Sequence, residues 1–236
     1  MIDSFSWSEQ TIGVSHANRV AIPWILGLYG LASATFILAT RWADWYRGNG
    51  TESTFLLLPF ALTLGGIMLL AAFWAFLAAD GLATAMLGIW GSFWIGYVVL
   101  NALFIAGKLF APIGSFPELG FSFITLAAIT WVGAVAAVAE NTALVGTLAF
   151  LAAGSTIAAI GTITGHSGLM MLTGWLFFIG SVLGWYTATG MLFETVFQRS
   201  VLPLHLQTTV AWPPSRATGS GGDVSGLGQA PSRRSG

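Results

Sequence analysis

The 236-residue chain carries few side chains able to do covalent or proton chemistry, and they stand apart from its long apolar runs. It has no Cys, which removes disulfides, thiol catalysis and Cys-ligated metals. Between positions 19 and 193 the charged residues are Arg19, Arg41, Asp44, Arg47, Glu52, Asp80, Lys108, Glu118 and Glu140, and all fall outside six uncharged stretches. No stretch has an acid, a base or a His at its middle, which is the usual mark of a proton relay or ion path inside a membrane. One nucleophile motif is present: Gly165-His166-Ser167-Gly168 matches the GxSG of intramembrane serine proteases. Such an enzyme needs a His on another helix within hydrogen-bond reach of the serine. The other histidines, His16 and His205, both lie outside the stretches. Four letters among 30 glycines are a cheap match, so the chain reads as no enzyme, with no metal and no cofactor.

What the stretches do offer is hydroxyls, aromatics and small residues. Ser33, Thr35, Ser92, Ser155, Thr156, Thr173, Ser181, Thr187 and Thr189 all lie within them. Hydroxyls on membrane helices commonly bond their own backbone or a neighbouring helix; a subset turned to a central gap would line a path for a small polar solute. Trp90, Trp94, Tyr97 and Asn101 recur at i, i+4, i+7 and i+11, which puts them on one helix face. An aromatic stripe is usually packing or lipid contact; a path-lining reading rests on Trp90, which lies far from either interfacial belt, where Trp is normally placed. Gly88, Ser92 and Gly96 make a small-residue ridge on the opposite face, and Gly180 and Gly184 make a GxxxG pair. Such ridges let helix backbones approach closely.

These residues must be positioned by helices. The chain is 56% apolar and 7% charged, against roughly 25% charged in soluble domains, and its mean hydropathy is +0.80. A water-facing globular surface cannot be built from that, nor is there a basic cluster for nucleic acid. The uncharged stretches run approximately over 20–40, 55–78, 83–106, 119–139, 143–160 and 168–193. Each is near the length of about twenty residues that crosses a bilayer as a helix, and none shows the alternation of a β-barrel strand. The expectation is an all-α, polytopic membrane protein with six transmembrane helices. Residues 1–18 form an N-terminal segment, 19–205 the membrane domain, and 206–236 a Pro-, Gly- and Ser-rich disordered tail. An even number of spans puts both termini on one side; the Lys and Arg count does not choose the side.

The stretch Gly161-Thr-Ile-Thr-Gly165, with Thr162 inside it, is followed by Gly174-Trp175, Gly180, Tyr186, Gly190, Glu194 and Arg199-Ser-Val-Leu-Pro203. This resembles the C-terminal signature of the acetate uptake transporter family, which includes bacterial succinate-acetate permeases and yeast acetate and ammonia transport proteins. Gly91-Ser92-Phe93-Trp94 is similar to the Gly-Ser-Phe-Trp of those permeases, and Pro23 through Gly30 stands in the place of their Asn-Pro-Ala-Pro-Leu-Gly-Leu segment. The resemblance covers about residues 20–205. The chain departs from the pattern at Val20-Ala-Ile-Pro23, at Ala78-Ala-Asp80-Gly, at Glu140, and at His166, where an Asn is usual.

By that resemblance the chain is a plasma-membrane permease for acetate or another short monocarboxylate, coupled to protons, with both termini cytoplasmic. It also implies a homo-oligomer, a hexamer in which each subunit has its own path through the lipid bilayer. The family's narrow constriction of Phe, Leu and Tyr falls on Tyr29, Leu151 and Trp90, and is expected to border a gap. Pro23, Ser92, Trp94, Thr162 and His166 are further path or motif candidates, with Glu194, Arg199, Gly180 and Gly184 as structural signature. On the residues alone, two alternatives stand beside this one. The first is a channel for a small neutral solute such as ammonia, urea or an amide, and the second is a membrane protein that assembles through its glycines with no path.

Overall fold

The computed structural model describes residues 22–46, 53–110 and 114–204. Six helices fill them: α1 Pro23–Trp42, α2 Ser53–Leu77, α3 Gly81–Ile105, α4 Pro117–Ala136, α5 Thr142–Thr164 and α6 Ser167–Phe197, with a single 3-10 turn at Ala137–Ala139. All six are long and apolar enough to cross a membrane, and the described residues contain no strand. The protein is an all-α polytopic membrane protein, as its uncharged stretches imply. The expected segments 1–18 and 206–236 lie outside the described residues, as do Arg19, Arg47, Glu52, His16 and His205.

Local chemistry sets the helix ends. Pro opens α1 and α4, where its missing N–H costs nothing. Asp80 caps α3 by accepting from the Ala83 N–H at 2.9 Å, and Asn141 caps α5 by accepting from Leu144 at 2.8 Å. Gly165, at φ 68°, ends α5 in the left-handed conformation that suits glycine. The C-terminal ends of α5 and α6 run furthest past the uncharged stretches. α5 continues to Thr164, because Gly161-Thr-Ile-Thr stays helical, and α6 continues through Glu194 to Phe197. A helix does not have to stop where the hydrocarbon does.

The helices form a ring in chain order, α1 against α2, α2 against α3, and so on to α6, which packs back on α1; the α3–α4 seam is by far the loosest. The outer surface is apolar: Val132 is 71% exposed and Val135 73%. Such a surface is stable only against acyl chains.

The α3 ridge of Gly88, Ser92 and Gly96 does not carry the close approach that its spacing suggests. A Cβ added at Gly96 would meet nothing within 4 Å, and one at Gly88 only Ala72 at 3.8 Å. Gly91 carries it instead: a Cβ there would lie 3.0 Å from both the Gly65 carbonyl oxygen and the Leu69 nitrogen of α2. α2 packs on the face that holds Gly91 and Trp94, which leaves Ser92 and Gly96 beside the loose seam. The α6 pair behaves as a packing motif. A Cβ on Gly180 would press on Leu151 of α5 at 3.1 Å, and one on Gly184 on Ala32 of α1 at 3.1 Å.

After α6, Gln198 turns the chain at φ 54°, so Arg199 stands outside the helix and is exposed, while Glu194 is half-buried inside it. The segment then folds back along α6. Tyr186 Oη donates to the Pro203 carbonyl at 3.1 Å, and Leu204 is buried against Gly190. Truncation after Gln207 keeps this strap, and the shortened protein should extract and melt as the full chain does. A fall in melting temperature would show that residues beyond 207 belong to the fold.

Candidate functional site

At the membrane face where α1 ends, a vestibule of about 690 Å³ opens between α1, α4, α5 and α6. Arg41 and Tyr46 stand on its α1 side, Phe116 and Thr162 opposite, and Ser167 and Gly168 at the start of α6. Thr162 is tied in twice: its hydroxyl donates to the Ala158 carbonyl at 2.7 Å, and its own carbonyl accepts from the Phe116 N–H at 2.7 Å. Trp42 forms part of the lining and leads into a continuous run of rings. It stacks on Phe177 at 5.8 Å and meets Phe123 edge-on at 5.6 Å. Phe123 lies 5.1 Å from Phe93, and Trp90 lies 5.9 Å from Phe93 and 6.1 Å from Phe177. Five rings from α1, α3, α4 and α6 thus plug the axis below the vestibule.

Trp90 is 0% exposed and its indole N–H donates to Thr130 Oγ1 at 3.1 Å; Thr130 in turn donates to the Leu126 carbonyl at 2.6 Å. Leu151, also buried, packs against Gly180. Trp90 and Leu151 each lie nine residues from the start of their helix at the same membrane face, a depth of about 13 Å at 1.5 Å per residue. Tyr29 sits on another flank. It is half-buried, and its hydroxyl lies 2.9 Å from Thr189 Oγ1 on α6. The fully buried positions on α1 at this depth are Leu28 and Leu31, with Thr35 and Leu38 beyond. The spacing i, i+3, i+7, i+10 of these four is a one-face pattern in the sequence. The rings pack on one another, and Leu151 on the face of Gly180.

The other candidates divide. Pro23 is the half-buried first residue of α1. Ser92 lines a groove in the α3–α4 seam, away from the axis. Trp94 is buried against Gly65 of α2. His166 is the exposed N-cap of α6, makes no side-chain capping bond, and leans over Gly168. Ser167 beside it is also exposed. Most buried hydroxyls are spent on their own helices: Ser155 donates to Leu151, Thr173 to Leu169 and Ser181 to Phe177. No group of three or more metal-ligating side chains occurs among the described residues.

At the opposite end of the bundle stand two carboxylates, Asp80 at the start of α3 and Glu140 in the α4–α5 turn. Burial pushes the Glu140 carboxyl above its ordinary value, and the charge of Asp80 adds to the effect. The folded protein therefore holds this proton to higher pH than the unfolded chain does, and stability is lost as pH rises through the raised value. Glu140→Gln should melt higher than the parent near neutral pH and equally at acidic pH. Equal melting at both would mean the carboxyl is freely solvated.

A ring of six apolar helices, closed on its axis by aromatics and open at one face through a vestibule, defines a polytopic membrane protein with a small-solute-sized entrance. The chain belongs to the GPR1/FUN34/yaaH family, whose model matches residues 9–206. Among solved structures it is similar to the bacterial acetate channel SatP, at 22% identity with a TM-score of 0.72, over 79% of this chain and 100% of that one. No curated protein matches it.

Proposed function

We propose that the chain is a plasma-membrane path for acetate or another short monocarboxylate, moved as the acid together with its proton. The observation that carries this reading is the axis itself, where the vestibule leads onto apolar and aromatic side chains with no fixed cation. A bare carboxylate entering such a path loses its water and gains no compensating charge. The un-ionised acid avoids most of that cost. Arg41, at the vestibule, gathers the anion ahead of protonation. Family membership and the SatP likeness agree with acetate as the solute.

In this reading Trp90 and Leu151 carry the constriction, and Tyr29 braces α1 against α6 and shapes it from behind. Both termini are cytoplasmic, so the vestibule opens outward, toward solute being taken up. The protein works as a homo-oligomer, a hexamer with one path per subunit, and is not an enzyme. The test is uptake of labelled acetate and labelled urea by proteoliposomes, with empty liposomes as the blank because acetic acid also crosses lipid unaided. Acetate uptake above the blank with none for urea supports the proposal. Urea uptake without acetate uptake would move the assignment to a neutral-solute channel.

A further inference from the structure

The Trp90 ring is held by neighbours of unequal firmness. Phe177 meets it edge-on at 6.1 Å and is itself buried on Gly154 of α5, where an added Cβ would collide with the phenyl ring. Phe93 meets it edge-on at 5.9 Å but is only half-buried, and it lines the groove of about 470 Å³ in the α3–α4 seam. One wall is therefore backed by a helix and the other by a groove. Ring contacts alone leave the indole room to shift toward the seam.

Thr130 of α4 supplies what the rings do not. Its Oγ1 accepts the indole N–H at 3.1 Å, and its own proton goes to the Leu126 carbonyl at 2.6 Å. The hydroxyl is thus turned so that its lone pairs face the indole, which can only donate. Both residues are fully buried, so a lost acceptor is not replaced by solvent. The bond also sits where the seam changes character. Toward the start of α3, Met86 presses on Gly133 so closely that a Cβ there would collide with its sulfur. α3 and α4 run antiparallel, Trp90 is four residues beyond Met86, and Thr130 is three before Gly133, so the two contacts stack about one helical turn apart. Toward the vestibule the helices part around the groove, with Phe93 and Tyr97 on one wall and Leu119 and Ser122 on the other.

We infer that Thr130 is the positioning residue of the constriction: it holds the Trp90 indole in the plug and so sets the size of solute that passes. This rests on the proposed function, in which Trp90 carries the constriction, and adds the group that fixes the ring's orientation.

The test reads the ring and the flux separately. Thr130→Val keeps the volume and removes the acceptor; Thr130→Ala removes it with less bulk and serves if the valine variant does not fold. In protein labelled with 5-fluorotryptophan, the fluorine resonance lost in Trp90→Phe identifies Trp90. It should move in Thr130→Val and stay in place in Thr130→Ser. In proteoliposomes the butyrate-to-acetate flux ratio, above the empty-liposome blank, should rise about fivefold in Thr130→Val, the equilibrium worth of one neutral hydrogen bond. Thr130→Ser should restore the parent's ratio, which a loss of packing would not. Met86→Ala loosens the seam one turn away without touching the bond, and should also keep the parent's ratio. An unmoved Trp90 resonance in Thr130→Val would overturn the inference. So would an unchanged ratio in a parent that carries acetate, or an equal rise in Met86→Ala. A parent that carries no acetate would instead defeat the proposed function, and the fluorine resonance would still decide whether Thr130 holds the ring.

Discussion

Trp90→Ala should raise acetate flux and admit propionate and butyrate, while Leu151→Phe should close the path. Trp90 is enclosed by Phe93, Phe177 and Thr130, so its removal opens the axis where the plug is thickest. The same packing sets a cost. Truncating a buried Trp destabilises by about 3–5 kcal/mol in a tight core, so the variant should melt well below the parent while conducting faster. Leu151 already presses on the face of Gly180, and a larger ring there has only the axis to enter. Size cutoffs for acetate, propionate and butyrate, measured with both variants in proteoliposomes, check this. An unchanged cutoff in Trp90→Ala would place the constriction elsewhere, with Leu28 and Leu31 the next residues to test.

The largest structural effect is expected at Gly174. A Cβ there would collide with the backbone nitrogen of Ala43 and lie 2.8 Å from the Trp42 carbonyl carbon. These are main-chain atoms at the end of α1, which no rotamer change can move. Gly174→Ala should therefore separate α6 from α1 beneath the vestibule and displace Trp42 from Phe177. Overpacking typically costs about 1–3 kcal/mol, and contact with backbone puts this substitution at or beyond the upper end. Gly96→Ala is the matched control, because its Cβ would meet nothing within 4 Å. Detergent melting of both variants decides: equal melting would show that α1 and α6 do not approach as described.

The fold was legible because charge placement is a coarse and strong signal. A charge is costly in hydrocarbon, so Asp80, Glu118 and Glu140 bracket helices without any need to know what packs where. Rotation of a helix about its axis leaves a weaker trace. The Gly88, Ser92 and Gly96 spacing was periodic and still carried no close approach, with Ser92 and Gly96 beside the loose seam, because in an all-apolar helix nothing in the pattern separates a lipid-facing glycine from a packed one. Gly91, one register over, carried the contact. Tyr29 illustrates the same limit: its place near Pro23 could be read, but its bond to Thr189, 160 residues away, depends on how α1 turns against α6. Trp90 and Leu151 were legible as bulky residues near mid-span. The bond from Trp90 to Thr130 was not, since the pairing of two side chains on different helices is a property of the packed bundle and not of either residue.

The most direct measurement is acetate uptake into proteoliposomes with an imposed pH gradient, acid outside. Uptake should exceed the empty-liposome blank, grow with the inward proton gradient, collapse with a protonophore, and be lost in Leu151→Phe. Uptake that is indifferent to the gradient, or that persists when all external acetate is ionised, would contradict passage as the neutral acid.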